Sequence, residues 1–381
     1  MTSTNEAYWI CAQTGVPPLA IGMPGIAKTR SVYAFAKAME RKVYTLIGSI
    51  RDPADIGGYP YPGEVGVNGS SRSVMKLIPP QWAADCCESG DKWIVFMDEL
   101  TTCPPSVQSA LLRVLAEKVV GDLELPEDTW ILSACNPPEQ AANGIELEAA
   151  MANRLFHHKW EAPVDAILAG YANGLQFAEP TFPKLPDNWR DYIGTVGGMV
   201  AAFHKHLPGR LTQFPEEQAS QAGPWASPRT WDYVIRCKAA CRAIGAEPGV
   251  ELQLTSGLVG DALAVEYSRW EESLDLPDPE ELLAEATAAQ DNGREMNYHH
   301  PDRPDKVMAM LSGVAQAVIN SKTTPRWEAG MAVFEATSKK ALDVTLGSAI
   351  RPFVRAMPKD AKTSTYFREV MAPKVAQALV W

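Results

Sequence analysis

The octapeptide Gly22-Met23-Pro24-Gly25-Ile26-Ala27-Lys28-Thr29 constrains this chain more than any other segment. It fits the phosphate-loop pattern G-x-x-x-x-G-K-[ST] at every fixed position but one, since Ala27 stands where the last glycine is expected. Small residues there let successive backbone N–H groups point into one concavity and hold phosphate oxygens, and a helix beginning at the loop adds its positive end. Lys28 is then placed to reach the β- and γ-phosphates, and Thr29 to put its hydroxyl on Mg²⁺. The flanks suit such a loop. Pro18-Leu19-Ala20-Ile21 is a short apolar run fit for a buried parallel strand. Val32, Phe35, Ala36 and Met39 follow the i, i+3, i+4, i+7 spacing of an amphipathic helix. The plain alternative is a Gly/Pro turn before an ordinary helix. Ala27 fits the loop if its φ is negative, because only a requirement for positive φ would exclude its Cβ.

A second part of the same chemistry lies further along. Trp93-Ile94-Val95-Phe96-Met97-Asp98-Glu99 is an apolar run ending in two carboxylates, the pattern of an inner strand with acids at its C-terminal edge. Asp98 can hold Mg²⁺ there, and Glu99 can polarise a water aimed at a γ-phosphate. Thr101 and Thr102 are expected to cap a helix whose first turn takes Pro104 or Pro105 and whose apolar face is Val107, Ala110, Leu111, Val114 and Leu115. Thr129-Trp130-Ile131-Leu132-Ser133-Ala134-Cys135 is a further strand that ends at Asn136, a neutral amide able to bond both an attacking water and a γ-phosphate. Met151-Ala152-Asn153-Arg154 puts an arginine at the end of a helical stretch, where the plain reading is a contact with the helix dipole or a local ion pair. Ala226-Ser227-Pro228-Arg229 puts another at a helix start, with Ser227 as cap and Pro228 in the first helical position.

Composition narrows the class. The chain has 381 residues, 46% hydrophobic and 21% charged, which is the profile of a soluble globular protein with room for two or three domains. A formal net charge of -11 argues against a general nucleic-acid surface. No apolar run approaches the roughly 18 residues of a membrane span, and Met1-Thr2-Ser3-Thr4-Asn5-Glu6 lacks the basic and apolar regions of a secretory signal. The seven cysteines are scattered without a C-x-x-C, so buried thiols in a reducing, cytoplasmic setting are expected. Cys237 and Cys241 lie one helical turn apart, but no histidine nearby completes a zinc site.

The order of phosphate loop, Asp-Glu strand, Asn strand, Asn-Arg helix end and Ser-Pro-Arg helix resembles an AAA+ ATPase, and among these the MoxR group with its CbbQ/NorQ relatives. The loop form with Ala27 is one that group also uses. The run from Asp98-Glu99-Leu100 to Leu115-Ala116-Glu117 is similar to its acidic strand and following helix, and Cys135-Asn136-Pro137-Pro138-Glu139 through Arg154 to its Asn-Pro stretch and arginine finger. The likeness is strong over about 15–160 and fades after about 250. Asn153 departs from the Asp that the group commonly has before the arginine. Only about fifteen residues precede the core, another departure.

The resemblance implies an α/β fold: a P-loop NTPase AAA+ core with a parallel sheet, then an α-helical lid and a C-terminal helical region. The expected division is 1–162, 163–290 and 291–381. It implies ATP and Mg²⁺ as ligands. Gly22, Pro24, Gly25, Ile26, Ala27, Lys28, Thr29 and Asp98 would form the nucleotide site, with Thr29 and Asp98 at the metal. Glu99 would activate the water, Asn136 would sense the γ-phosphate, Arg154 would be a finger inserted into a neighbouring subunit's site, and Arg229 a second sensor from the lid. It also implies a homo-oligomer, a hexameric ring, that hydrolyses ATP to remodel a protein client, with a von Willebrand factor A domain protein as partner. Two alternatives stay open: a nucleotide-gated scaffold with little turnover, and a metal-chelatase-type ATPase subunit.

Between Arg51 and Gly69 the glycines, prolines and the Asn68-Gly69 pair mark tight turns, and the flanks can pair as a short hairpin. By the same resemblance it faces a ring pore, making Tyr59 and Tyr61 candidate substrate contacts; the equal alternative is that both pack the loop onto the core. Residues 163–215 read as a connector with Pro-rich breaks. Asp275 to Glu281 reads as a cap and helix start, 291–304 as a polar linker, and the stretch from Lys306 onward as helical, with Val307, Met310, Leu311, Val314 and Val318 on one face.

Overall fold

The computed structural model describes residues 5–67, 70–140, 144–321, 323–345 and 349–378. Its chain divides into two compact units, one of residues 1–185, 214–233 and 247–261, the other of 186–213, 234–246 and 262–381. The division at 162/163 and 290/291 remains a proposal about function.

The first unit is built on strand β1 (Pro18–Ile21), which follows helix α1 (Glu6–Gln13) and leads through the phosphate loop into α2 (Lys28–Ala38). Then come β2 (Lys42–Ile47), the short helix α3 (Pro53–Gly57), the ribbon β3 (Tyr59–Val67) and β4 (Ser70–Ile78), and α4 (Gln81–Glu88). After β5 (Trp93–Asp98) follow α5 (Pro105–Glu117), the small hairpin β6 (Val119–Val120) and β7 (Leu123–Glu124), β8 (Trp130–Cys135), α6 (Ala149–Ala152) and β9 (Phe156–Lys159). Five of these strands form one sheet in the order β2-β5-β8-β1-β9, every pair parallel.

The inner strands β5, β8 and β1 read as apolar runs because both faces of the sheet are covered there. Alternation along each strand sorts the side chains. Leu19, Val95, Met97, Ile131 and Cys135 pack with Trp82, Leu111, Val114 and Met151 on one face. Ala20, Ile94, Phe96, Leu132 and Ala134 pack with Tyr8, Trp9, Val32, Phe35 and Trp160 on the other. The topology therefore aligns the carboxyl ends of β1, β5 and β8 side by side, with Ile21 opposite Cys135 and Met97 opposite Ser133. Open parallel sheets bind ligands beyond that edge, where neighbouring connections leave in different directions.

The hairpin expected after Arg51 is present as β3 and β4, paired antiparallel from Tyr59–Ile78 to Val67–Ser70. Asn68-Gly69, a turn signal in the sequence, lies outside the described residues. Tyr59 and Tyr61 are 54% and 51% exposed, so packing onto the core is not their role. The Tyr59 hydroxyl instead donates to Asp55 Oδ1 at 3.0 Å.

The second unit is helical. Leu282, Leu283 and Ala286 of the helix Pro279–Asp291 pack with Val307, Met310, Leu311, Val314 and Val318 of the helix Pro304–Ser321, and with Trp327, Phe334 and Phe353. Asp278 caps the first of these helices, accepting from Glu280 N at 2.7 Å. The linker expected over 291–304 is instead folded onto this core. Met296 and Tyr298 pack against it, and Glu285 binds both Arg294 and the amide of Asn297. Among the described residues no helix is long and apolar enough to cross a membrane, and no group of His, Cys, Asp and Glu is arranged to hold a metal. The cysteines are free thiols, Cys87 half-buried and the rest buried.

Candidate nucleotide site

Beyond the carboxyl ends of β1, β5 and β8 lies a cleft of about 330 Å³, lined by Pro24 to Arg30 together with Asp98, Glu99 and Asn136. The loop leaves β1 with Gly22 N donating to Cys135 O at 3.2 Å. Gly22 has no room for a side chain: a Cβ would stand 2.7 Å from Ile26 Cδ1 and 3.1 Å from Trp160 Cβ. Gly25 sits at φ 81°, a conformation that costs only glycine little. Ala27 sits at φ 65°, ψ 23°, in the left-handed region. The expectation of a negative φ is corrected here. The loop demands the same turn at Ala27 that a glycine would make, and the alanine adopts it with its Cβ in place.

Lys28 is buried in the first turn of α2. Its ammonium donates to three neutral acceptors, Gly22 O at 2.5 Å, Met23 O at 3.0 Å and Asn136 Oδ1 at 2.8 Å. Burial pushes its pKa down. The Thr29 hydroxyl donates to Asp98 Oδ2 at 2.9 Å, and the other carboxylate oxygen accepts from Glu99 N at 2.9 Å. Burial raises the Asp98 pKa, an effect these two bonds partly oppose. A hydroxyl and a carboxylate at this separation are hard oxygen donors of the kind Mg²⁺ takes, so the residues fit that ion.

Glu99 also has a left-handed backbone, at φ 60°, ψ 39°. Its carbonyl is held by Thr102 N at 3.0 Å, the Thr102 hydroxyl at 2.8 Å and the Cys103 thiol at 3.5 Å. Its side chain accepts from Ser49 Oγ at 2.8 Å. Thr101 and Thr102 do not cap α5, whose N-cap position is Pro104. Thr102 braces Glu99, and the Thr101 hydroxyl donates to Asn136 O at 2.8 Å, tying the ends of β5 and β8 together.

The structure brings Gly22 to Thr29, Asp98, Glu99 and Asn136 together, and leaves two expected residues apart. Neither Arg154 nor Arg229 lines this cleft. Arg154 Nη1 donates to Ala150 O at 2.6 Å, and its pKa is lowered by burial and then by the nearby Arg229. Arg229 Nη1 donates to Asn153 Oδ1 at 3.2 Å. Ser227 caps the helix Pro228–Ile244 as expected, its Oγ accepting from Thr230 N at 3.2 Å.

The segment 19–155 matches the family model of the AAA domain, dynein-related subfamily. This region has a P-loop AAA+ α/β fold. No curated protein matches the chain. A similar solved structure is that of a candidate ATPase from Cytophaga hutchinsonii, 18% identical, with a TM-score of 0.41 over 69% of this chain and 86% of that one. That superposition is too weak to bear on function.

Sequence reasoning missed Ser49 and Arg30, and it assigned Thr101 and Thr102 to a helix cap rather than to bracing the strand ends. Ser49 belongs to the connection after β2, and only the strand order β2-β5 brings it beside Glu99. Arg30 follows the loop directly and stacks over Phe177 at 4.5 Å, a contact with no local signature.

Proposed function

We propose that the chain is an ATP-hydrolysing motor of MoxR type that assembles as a ring of six copies and remodels a protein client, with a von Willebrand factor A domain protein as partner. The observation that carries the reading is the division of the machinery. Lys28, Thr29, Asp98, Glu99 and Asn136 share one cleft, while Arg154 stands outside it. The side chains in the cleft suit phosphoryl transfer to water, in which positioning and charge stabilisation supply the catalysis. Lys28 would exchange its neutral acceptors for phosphate oxygens, and Asn136, released from Lys28, would bond the γ-phosphate. Glu99 would orient the attacking water and accept its proton. Thr29 and Asp98 would hold Mg²⁺, which supplies charge neutralisation on the phosphates. A cation is still wanted on the transferring phosphoryl, and a second copy's Arg154 is proposed to provide it; such fingers contribute on the order of 10³–10⁵ in rate in GTPases.

Steady-state ATPase measured against protein concentration tests this. Specific activity should rise as copies assemble, and Arg154→Ala should keep ATP affinity while losing turnover. A concentration-independent rate, or full hydrolysis by Arg154→Ala, would remove the finger. Glu99→Gln charged with ATP is the variant for capturing the client, because it should bind nucleotide and stall.

A further inference from the structure

The second unit carries two surfaces of opposite charge that the nucleotide site does not use. One is a groove of about 680 Å³ between the start of the helix Ile193–His206 and the helix Ile350–Arg355. Its floor is bare because Gly194 and Gly197 lie one turn apart. A Cβ at Gly194 would stand 3.0 Å from Pro352 Cγ, so a side chain there would crowd the proline. Ile193, Ile319 and Pro352 form apolar walls. Around them Arg190, Arg351 and Arg355 set three guanidiniums against one carboxylate, Asp191. Arg190 and Arg355 are exposed. Among the described residues neither pairs with a carboxylate, and Arg190 lies over its neighbour Trp189, 4.8 Å from the ring centre.

The other surface is the corner between the helices Asp261–Glu272 and Pro279–Asp291. From Trp270 to Gly293 the chain has no lysine or arginine, and Glu272, Asp275, Asp278, Glu280 and Glu281 crowd into this corner. Some of these carboxylates are engaged: Glu272 accepts from Ser268 Oγ, Asp278 caps the second helix and Glu280 binds Arg326. Asp275 and Glu281 are exposed and, among the described residues, pair with no cation. They share one stretch of surface with Leu276 and Pro277.

Groove and corner flank the helix Pro304–Ser321 on different sides. Thr195, beside Gly194, donates to Ser312 O at 3.3 Å and to Gln316 Oε1 of that helix. Pro279, at the end of the corner, meets it at Gly313, where a Cβ would lie 2.9 Å from Pro279 Cγ. Successive helical residues turn by about 100°, which separates the two contacts around the axis. That separation suits a contact between copies. The whole chain has a formal net charge of -11, so copies repel except where a basic surface meets an acidic one. The corner has what the groove calls for: carboxylates for the guanidinium forks, and leucine and proline for the apolar walls.

We propose that the groove of one copy receives the acidic corner Glu272–Glu281 of a second copy, setting Arg190 and Arg355 against Asp275 and Glu281. Such a contact is heterologous, and a succession of them closes into a ring when the rotation allows. The inference rests on the proposed ring assembly and adds a contact made by the helical unit, away from the nucleotide.

Assembly of the full chain with ATP, followed by sedimentation velocity over a concentration series, tests it. Exposed ion pairs each contribute little, so charge reversal is the informative change. Arg190→Glu with Arg355→Glu alters the groove, and Asp275→Lys with Glu281→Lys alters the corner. All four side chains are exposed, so the fold should stand. Each altered chain should need a concentration roughly tenfold or more above the parent's to assemble. Mixed in equal amounts, the two should assemble at the parent's concentration, because every junction of an alternating ring again joins opposite charges. Mixing would not repair a folding defect. Parent-like assembly of both altered chains, or a loss that mixing does not restore, would overturn the contact. A loss confined to the groove variant would give the groove to a different acidic partner and overturn it too. A parent chain that stays monomeric throughout would instead remove the ring on which the contact rests.

Discussion

Replacing Ala27 by glycine asks directly whether the phosphate loop carries strain. At φ 65°, ψ 23° an L-residue brings its Cβ close to the following carbonyl, at a cost of roughly 1–2 kcal/mol. Glycine escapes that cost but loses more chain freedom on folding, by roughly 0.4–1 kcal/mol relative to alanine. The difference leaves Ala27→Gly more stable by about 0.5–1 kcal/mol. Had Ala27 been the first residue of α2 with helical φ, the same change would destabilise the chain by up to about 1 kcal/mol. The two conformations thus predict opposite signs, separated by well over the error of a careful comparison.

Thermal unfolding followed by tryptophan fluorescence, without nucleotide, is the assay. For a cooperative unit of roughly 150–250 residues the expected gain raises Tm by about 1–4 °C. Ala27→Val should fall well below the parent, since a β-branched residue tolerates positive φ least. A lower Tm for Ala27→Gly than for the parent would refute the left-handed assignment and restore a negative φ at this position.

Other outcomes follow from the same geometry. Gly22→Ala should weaken ATP binding by roughly tenfold, because the added Cβ meets Ile26 and Trp160 and displaces the loop; unchanged affinity in isothermal titration would count against the packed turn. Ser49→Ala frees a lone pair on the carboxylate that is proposed to take the water's proton, so kcat should rise about threefold or more at unchanged ATP affinity, and a fall would show that Ser49 orients Glu99 instead. His158 is buried and His157 half-buried, and desolvation lowers the pKa of each to about 4, so both are neutral at pH 7. Their unfolded values near 6.5 mean that the unfolded chain binds more protons as pH falls through that value toward 4, so stability is lost over that window. Urea unfolding at pH 7 and pH 5 should differ by about 2 kcal/mol per histidine, and His158→Gln should remove one share of the loss.

How much of this could be read from the residues differs from part to part. The elements that bind phosphate are local in sequence, so a strand, a loop and a helix over 18–39 were legible from apolar spacing alone, as were β5 and β8 from their unbroken apolar runs. The backbone of Ala27 was not. Nothing in a single alanine distinguishes left-handed from right-handed φ; the turn between Gly25 and Lys28 decides it. Thr101 and Thr102 misled for a related reason. A hydroxyl ahead of a helix normally caps it, but here the strand ends offer Glu99 O and Asn136 O as nearer acceptors, and Pro104 takes the cap position. Ser49, Asn153 and Trp225 act through partners 50, 74 and 72 residues away, and no spacing rule reaches that far.

Lys28 and Asn136 connect these observations. The ammonium is buried among acceptors that carry no charge, and one of them is the amide proposed to contact the γ-phosphate. A phosphate entering the loop competes for the same ammonium with oxygens that are charged, and charge-assisted bonds are roughly twice as strong as neutral ones. When Lys28 turns to the phosphate, Asn136 Oδ1 loses its donor, and Thr101 still fixes the backbone of that strand end. The amide is then released at its side chain while anchored at its main chain, free to swing toward the reacting oxygens. Under the proposed roles, nucleotide binding and the readiness of Asn136 would be one exchange, and a variant that lacks the ammonium should remove both at once.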